Sequence, residues 1–237
     1  MRLDKLLSNL GVSSRSVCRD LIRKGRVSVN GSVCRDGAFH VHDGAEVILD
    51  GKRMDTRVER HLMLYKPAGY LTAAEDKSSK TVMDLLPNQY RTLGCMPVGR
   101  LDKDTTGLLI LTTDGDLAHR LITPRYHVDK VYYARVDVPL TAEDEKAFAE
   151  GIELKDFTCM PARLERQEET LGKVTVQEGK YHQVKRMFGA RGKKVLELHR
   201  ASFGTLVLDE TMQPGDFREL TEKETAALYL AAGKTNE

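Results

Sequence analysis

Residues 99–116 read Gly-Arg-Leu-Asp-Lys-Asp-Thr-Thr-Gly-Leu-Leu-Ile-Leu-Thr-Thr-Asp-Gly-Asp. An arginine, two spaced aspartates, adjacent threonines and a glycine stand directly before the apolar run Leu108–Leu111, which places polar chemistry on the rim of a buried strand. A calcium loop starting at Asp102 would use Asp104 and Thr106 and has its glycine, Gly107, at the sixth position. It needs a carboxylate at the twelfth, where Thr113 stands. A phosphatase of the Asp-x-Asp-x-Thr kind needs a continuous apolar strand before its first aspartate, and Val98-Gly99-Arg100-Leu101 interrupts one. In a third reading Asp102 is a lone nucleophile, and Arg100, two residues upstream on the same strand face, handles a polyanion. The remaining alternative is a polar turn that caps a core strand.

Two other groups could join this chemistry. Lys130-Val131-Tyr132 opens a strand, where an isolated tyrosine is ordinarily half buried. Glu178-Gly179-Lys180-Tyr181-His182-Gln183-Val184-Lys185-Arg186-Met187 lies in a basic stretch: residues 180–200 hold seven Lys/Arg against Glu197, a local excess of +6.

The elements that must position these residues need a chain of some size. At 237 residues it can bury a full core and hold two domains, one of them small. Net charge is only +2, so any polyanion partner is announced locally. Residues 1–35 carry Arg2, Lys5, Arg15, Arg19, Arg23, Lys24, Arg26 and Arg35 against Asp4 and Asp20, again a local +6. Cys18, Cys34, Cys95 and Cys159 are scattered without a Cys-x-x-Cys pair, the pattern of buried free thiols in a reduced, cytoplasmic protein without structural zinc. No apolar run approaches the roughly 20 residues that span a bilayer. The charged N-terminus argues against export, so no membrane association is expected.

Leu3, Leu6, Leu7 and Leu10 mark one stripe of a short helix stopped by Gly11. Ser13 or Ser14 caps a second helix with the stripe Val17, Cys18, Leu21 and Ile22, ended by Gly25. Arg15, Arg19 and Arg23 form a basic ridge on its other side. Val27 and Val29 run into Asn30-Gly31, a strong hairpin signal, and then Val33. Two helices and a hairpin with a basic face are similar to the S4 domain of ribosomal proteins and RNA-modifying enzymes, over residues 1–48. His40 and His42 form a pair without a third metal ligand and read as surface. Residues 50–60 show no apolar period and read as a linker. Strands are expected at 61–65, 108–111, 130–136, 174–176, 195–198 and 205–208, helices at 116–121, from Thr141 to Gly151 and from Thr221 to Ala232, and a loop at 74–80.

Taken jointly and in this order, Gly-Arg-Leu-Asp-x-x-Thr-x-Gly-Leu-Leu at 99–109, Lys-x-Tyr at 130–132 and Glu-Gly-Lys-Tyr-His-Gln-Val-Lys-Arg-Met at 178–187 resemble the pseudouridine synthases of the RsuA type, and the resemblance spans the chain. It implies an α+β fold: a small S4-like αα-hairpin domain with its linker at 1–58, then a catalytic domain at 59–237 whose largely antiparallel mixed sheet is flanked by helices. It also implies isomerisation of uridine within RNA, with no metal or redox cofactor. Asp102 takes the position of the nucleophile, directed at ribose C1′ or uracil C6. Lys185 takes that of the basic partner, where neighbouring branches carry arginine; lysine acts there as a point charge. Tyr132 matches the tyrosine that packs on uracil and helps the proton leave C5. Arg100 matches the arginine that fills the space of the flipped nucleotide. Arg2, Lys5, Arg15, Arg19, Arg23, Lys24 and Arg26 are the expected RNA-binding set. Tyr181-His182-Gln183-Val184-Lys185 resembles the small-subunit branch, so 16S ribosomal RNA, free or in a subunit assembly intermediate, is the expected partner of a monomeric enzyme. The alternatives are 23S RNA as substrate, or a non-catalytic S4-type ribosome-binding factor.

Overall fold

The leucine stripe at the start of the chain forms α1 (Leu3–Asn9), which buries Leu3, Leu6 and Leu7 in the computed structural model; the structure describes residues 1–42 and 44–234. Asp43 of the S4-like stretch and residues 235–237 of the expected catalytic stretch lie outside the described residues. Ser14 caps α2 (Arg15–Arg23) by accepting the Val17 N–H at 3.5 Å. Cys18 and Ile22 are buried against α1, whereas Val17, expected on the same stripe, is exposed. β1 (Val27–Val29) and β2 (Ser32–Cys34) make the hairpin around Asn30-Gly31.

Residues 50–60 are not simply a linker. β3 (Val47–Leu49) and β4 (Lys52–Met54) pair antiparallel around Asp50-Gly51, with φ of 50° and 79°. Asp-Gly is a favoured sequence for such a turn, but β4 exposes Lys52 and Arg53 and so shows no apolar alternation. The four strands order as β2-β1-β3-β4, and Val27, Val29 and Val47 close a core with the helices.

The chain divides into two compact units: residues 1–60 with 86–96, and residues 61–85 with the chain from Pro97 onward. In the first, α3 (Asn88–Thr92) returns to α1, where the Thr92 hydroxyl donates to the Asn9 carbonyl at 2.7 Å. The second is built on a mixed sheet of nine strands among the described residues. These are β5 (His61–Lys66), β6 (Met96–Pro97), β7 (Thr106–Thr112), β8 (Lys130–Val136), β9 (Arg163–Arg166), β10 (Leu171–Val176), β11 (Val195–Phe203), β12 (Leu206–Val207) and β13 (Phe217–Glu219). The main path is β13-β5-β7-β11-β8-β10-β9, with β6 on β7 and β12 on β11. Within the main path only β7 and β11 run parallel.

α4 (Gly115–Ile122) is capped by Asp114. α5 (Ala142–Glu150) has the full capping box of Thr141 and Asp144. α6 (Gln183–Ala190) carries Lys185, and α7 (Glu222–Ala231) packs Leu228 on Met63, Leu108 and Ile110. Gly107 lets β7 approach β11: its φ is 106°, and a Cβ there would lie 2.2 Å from the Arg200 carbonyl oxygen. The motif glycine is therefore a packing requirement at the centre of the sheet.

Candidate active site

Arg100 and Asp102 do not share a strand face, contrary to the sequence expectation. Between β6 and β7 the chain leaves the sheet, with Gly99 at φ 70°, and regular pairing resumes only at Thr106. Both residues sit on this loop, which is tied down at several points. The Thr72 hydroxyl donates to the Leu101 carbonyl at 2.8 Å and accepts its N–H at 3.2 Å. The Gly69 N–H donates to the Lys103 carbonyl at 2.7 Å. Beneath it, Lys66 is wholly buried and gives its ammonium to the carbonyls of Pro67 (3.1 Å), Lys103 (3.3 Å) and Thr105 (2.8 Å). Burial pushes its pKa down to about 8, against the pull of Asp104 and Asp102. The loop that carries Asp102 is thus a rigid ledge.

α6 brings Lys185 to this ledge. Its Nζ lies 3.1 Å from Asp102 Oδ2 and 2.6 Å from Asp104 Oδ1. Burial opposes the ammonium, but the two carboxylates outweigh it and hold the Lys185 pKa above the usual lysine value. The Lys185 hydrogen bond, first among the causes, holds Asp104 below the usual carboxylate range. His182 approaches from the other side, with Nε2 3.4 Å from Asp102 Oδ1. The Asp102 side chain stays 23% exposed, so the carboxylate is flanked by an ammonium and an imidazole yet open.

A small cleft of about 60 Å³ meets this carboxylate, lined among others by Arg100, Thr105, Tyr132, Glu178 and His182. Tyr132 projects from the buried face of β8, and Arg200 stands opposite it on β11. The buried Arg200 guanidinium donates to the Leu108 carbonyl at 2.7 Å and, at a long 3.4 Å, to the Tyr132 hydroxyl. Asp102, Tyr132 and Arg100 thus line one cleft, and Lys185 joins them through its contact with Asp102. An open carboxylate beside an ammonium, an aromatic wall and an exposed arginine suit attack on an electron-poor carbon of an anionic polymer.

The comparisons with known proteins bear on which polymer. Residues 60–190 match the RNA pseudouridylate synthase family, and residues 1–47 match the S4 domain. The chain is 41% identical to ribosomal small subunit pseudouridine synthase A of Yersinia pestis, over 96% of this chain and 98% of that one. It is 40% identical to the protein of that name from Escherichia coli, over 96% and 100%. A solved pseudouridylate synthase is 36% identical, covers 96% of this chain and 99% of its own, and superposes with a TM-score of 0.68. The chain belongs to the RNA pseudouridylate synthase family. As a pseudouridine synthase it acts on RNA, and its fold is the expected mixed α+β one.

Sequence reasoning did not pick out four neighbours of this pseudouridine synthase site. Asp104 shares Lys185 with Asp102, His182 flanks the carboxylate, Lys66 anchors the loop and Arg200 backs Tyr132. Of these Asp104 and His182 had a visible signal, their places in the first and third motifs. Among the described residues no group of His, Cys, Asp or Glu could hold a metal ion. His40 and His42 are exposed, and of the four free cysteines Cys34 is only half buried.

The N-terminal basic set is more committed than its spacing suggests. Arg2, Arg15 and Arg19 all bond the wholly buried Asp4, at 3.0–3.2 Å. Arg23 pairs with Asp20, and Arg26 pairs with Asp50 at 2.5 Å. Lys5 and Lys24 are exposed and take no partner among the described residues. Most of the second basic stretch is likewise spoken for: Arg186 pairs with Asp156, Arg191 and Lys193 with Asp144, and Arg200 is buried, while Lys180 and Lys194 are exposed. No described helix is long and apolar enough to cross a membrane.

Proposed function

We propose that this enzyme converts uridine to pseudouridine in small-subunit ribosomal RNA, with Asp102 as nucleophile. The observation that carries the reading is the open Asp102 carboxylate, 3.1 Å from Lys185, at a cleft that Arg100 and Tyr132 also line. The near-full-length relatives named for the small subunit supply the RNA.

Asp102 attacks ribose C1′ or uracil C6 of a nucleotide flipped out of its stack, a step that Arg100 supports by filling the vacated space. The bond from C1′ to N1 breaks, the base turns, C5 bonds to C1′, and the bond from Asp102 to the nucleotide breaks to return the free carboxylate. C5 loses its proton with the help of the Tyr132 hydroxyl, and N1 gains one. Lys185 sets a positive charge 3.1 Å from Asp102, opposite the charge of the incoming phosphates. Atoms balance within the nucleotide, so the reaction calls for no cofactor. Residues 1–58 dock RNA and residues 59–237 catalyse, in a monomer working in the cytoplasm on free RNA or on a subunit assembly intermediate.

The test is release of tritium from ribosomal RNA labelled at uridine C5, in EDTA. Release from 16S RNA is the expected result. Release from 23S RNA alone overturns the choice of substrate, and no release from either overturns the catalytic reading in favour of a binding factor.

A further inference from the structure

Tyr181 is the most exposed aromatic side chain near the cleft, 69% accessible, yet it is not loose. Its ring stacks on His182 with centroids 3.9 Å apart and planes within 16°. His182 holds a left-handed backbone, φ 48° and ψ 32°, which a non-glycine residue adopts at some cost and which here aims both rings. The turn beneath is locked by two buried polar side chains. Glu178 Oε1 accepts the Gln183 amide at 2.7 Å and the Met160 N–H at 2.8 Å, and Gln183 Oε1 accepts the Lys180 N–H at 3.0 Å. His182 in turn reaches Asp102. A preoriented aromatic ring, backed on one face, thus sits one residue from the group that touches the reacting carboxylate.

We propose that Tyr181 is a stacking platform for an unstacked nucleobase flanking the target uridine, an inference that rests on the reading of the cleft as a uridine isomerisation site. Flipping the target into the cleft deprives its neighbour of a stacking partner. A ring at the cleft rim restores it. RNA-binding proteins hold splayed bases on aromatic side chains in this way, and stacking accepts any base because every base has a π-face. The platform therefore contributes affinity for locally opened RNA, such as a loop or bulge, over regular duplex. His182 acts as the second layer of the stack and couples its position to Asp102.

The test compares wild type, Tyr181→Ala, Tyr181→Trp and His182→Gly on tritium-labelled total ribosomal RNA, with affinity from filter binding and rate from single turnover at saturating enzyme. Tyr181→Ala is expected to weaken binding roughly ten- to a hundredfold, the loss of one base–aromatic stack. Its saturated rate should stay within about twofold of wild type, because the lost contact is to a base that does not react. Tyr181→Trp should bind about as well as wild type. His182→Gly, which relieves the left-handed backbone but removes the backing ring, should also weaken binding. Unchanged affinity in Tyr181→Ala overturns the platform, and so does a loss of saturated rate at unchanged affinity. Absence of tritium release by wild type overturns the isomerisation reading instead, since the affinity comparison is made independently of turnover.

Discussion

Asp4 is wholly buried and receives four hydrogen bonds from Arg2, Arg15 and Arg19, two on each oxygen. Asp102 is partly exposed, takes one ammonium at 3.1 Å and one imidazole at 3.4 Å, and faces a cleft. Both are aspartates among cations, but one has spent its acceptor capacity and the other has not. The Asp4 carboxylate lies well below the usual range: burial alone would raise it, and the guanidiniums overcome that. Such a saturated group holds an S4-type unit together and has nothing left for a substrate. The unsaturated carboxylate keeps acceptor capacity free on the side that faces the cleft, as the nucleophile role proposed for it requires.

The largest expected break in this contrast comes from neutralising each carboxylate. Asp102→Asn keeps shape and RNA affinity but should lower single-turnover rate by more than about a thousandfold, because a neutral amide cannot attack. Asp104→Asn should cost no more than about tenfold, since it loses only a shared contact to Lys185. Equal and total loss in both would return a metal or phosphatase-like reading.

Asp4→Asn should act on stability instead. Leaving three guanidiniums on a neutral amide is expected to cost about 3 kcal/mol, the low end for a buried pair because the guanidiniums are half exposed. Saturated turnover should survive in the folded fraction. The pH dependence has a definite sign. With its pKa depressed on folding, Asp4 contributes stability that is complete above about 3.8, the unfolded value, and is lost as pH falls below it. The stability gap between wild type and Asp4→Asn in denaturant unfolding should therefore be constant well above about 3.8 and begin to narrow as pH falls to about 3. Parallel curves would mean that Asp4 carries no such linkage.

The smallest effect sharpens the contrast within the basic set. If Lys5 and Lys24 are free to meet phosphates, replacing both by glutamine should flatten the slope of log K against log salt by roughly 1.5 units without changing stability. Arg15→Gln with Arg19→Gln should flatten it less and destabilise more, because those side chains already serve Asp4. A salt titration of RNA binding beside a melt of each variant decides the matter. The reverse order would show that the arginines leave Asp4 for the RNA.

Much of both units was legible because their elements carry local signals. Leu108–Leu111 marks β7, the Thr141–Asp144 pair marks α5, and Asn30-Gly31 marks the first hairpin. The second hairpin had its Asp50-Gly51 signal too, but with Lys52 and Arg53 exposed, β4 shows no alternation. Asp102, Tyr132 and Lys185 were reached through resemblance to a family, since no local pattern brings together residues so far apart in the chain. What stayed hidden depends on long-range contact: Lys66 under the loop, Arg200 behind Tyr132, and Asp4 drawing in three arginines. None of these pairings has a period or a spacing. The loop start of the 99–107 motif also escaped, because the extended-looking sequence leaves the sheet at Gly99.

The parallel register of β7 on β11 ties Thr106 and Gly107 to His199 and Arg200, and so sets a schedule for the newborn protein. During synthesis β7 can zip onto β5 and the short β6 early, yet the Thr106–Gly107 end of its second edge stays unpaired until residues 195–203 have been made. Lys185 has no docked helix to stand on before then, and pairings between distant parts of a chain close slowly. The polypeptide thus spends most of its elongation without a working site, and with an open β edge that invites wrong partners. A ribosome stalled before Val195 should display a protease-sensitive, inactive chain, and one stalled well past Phe203 a resistant and active one.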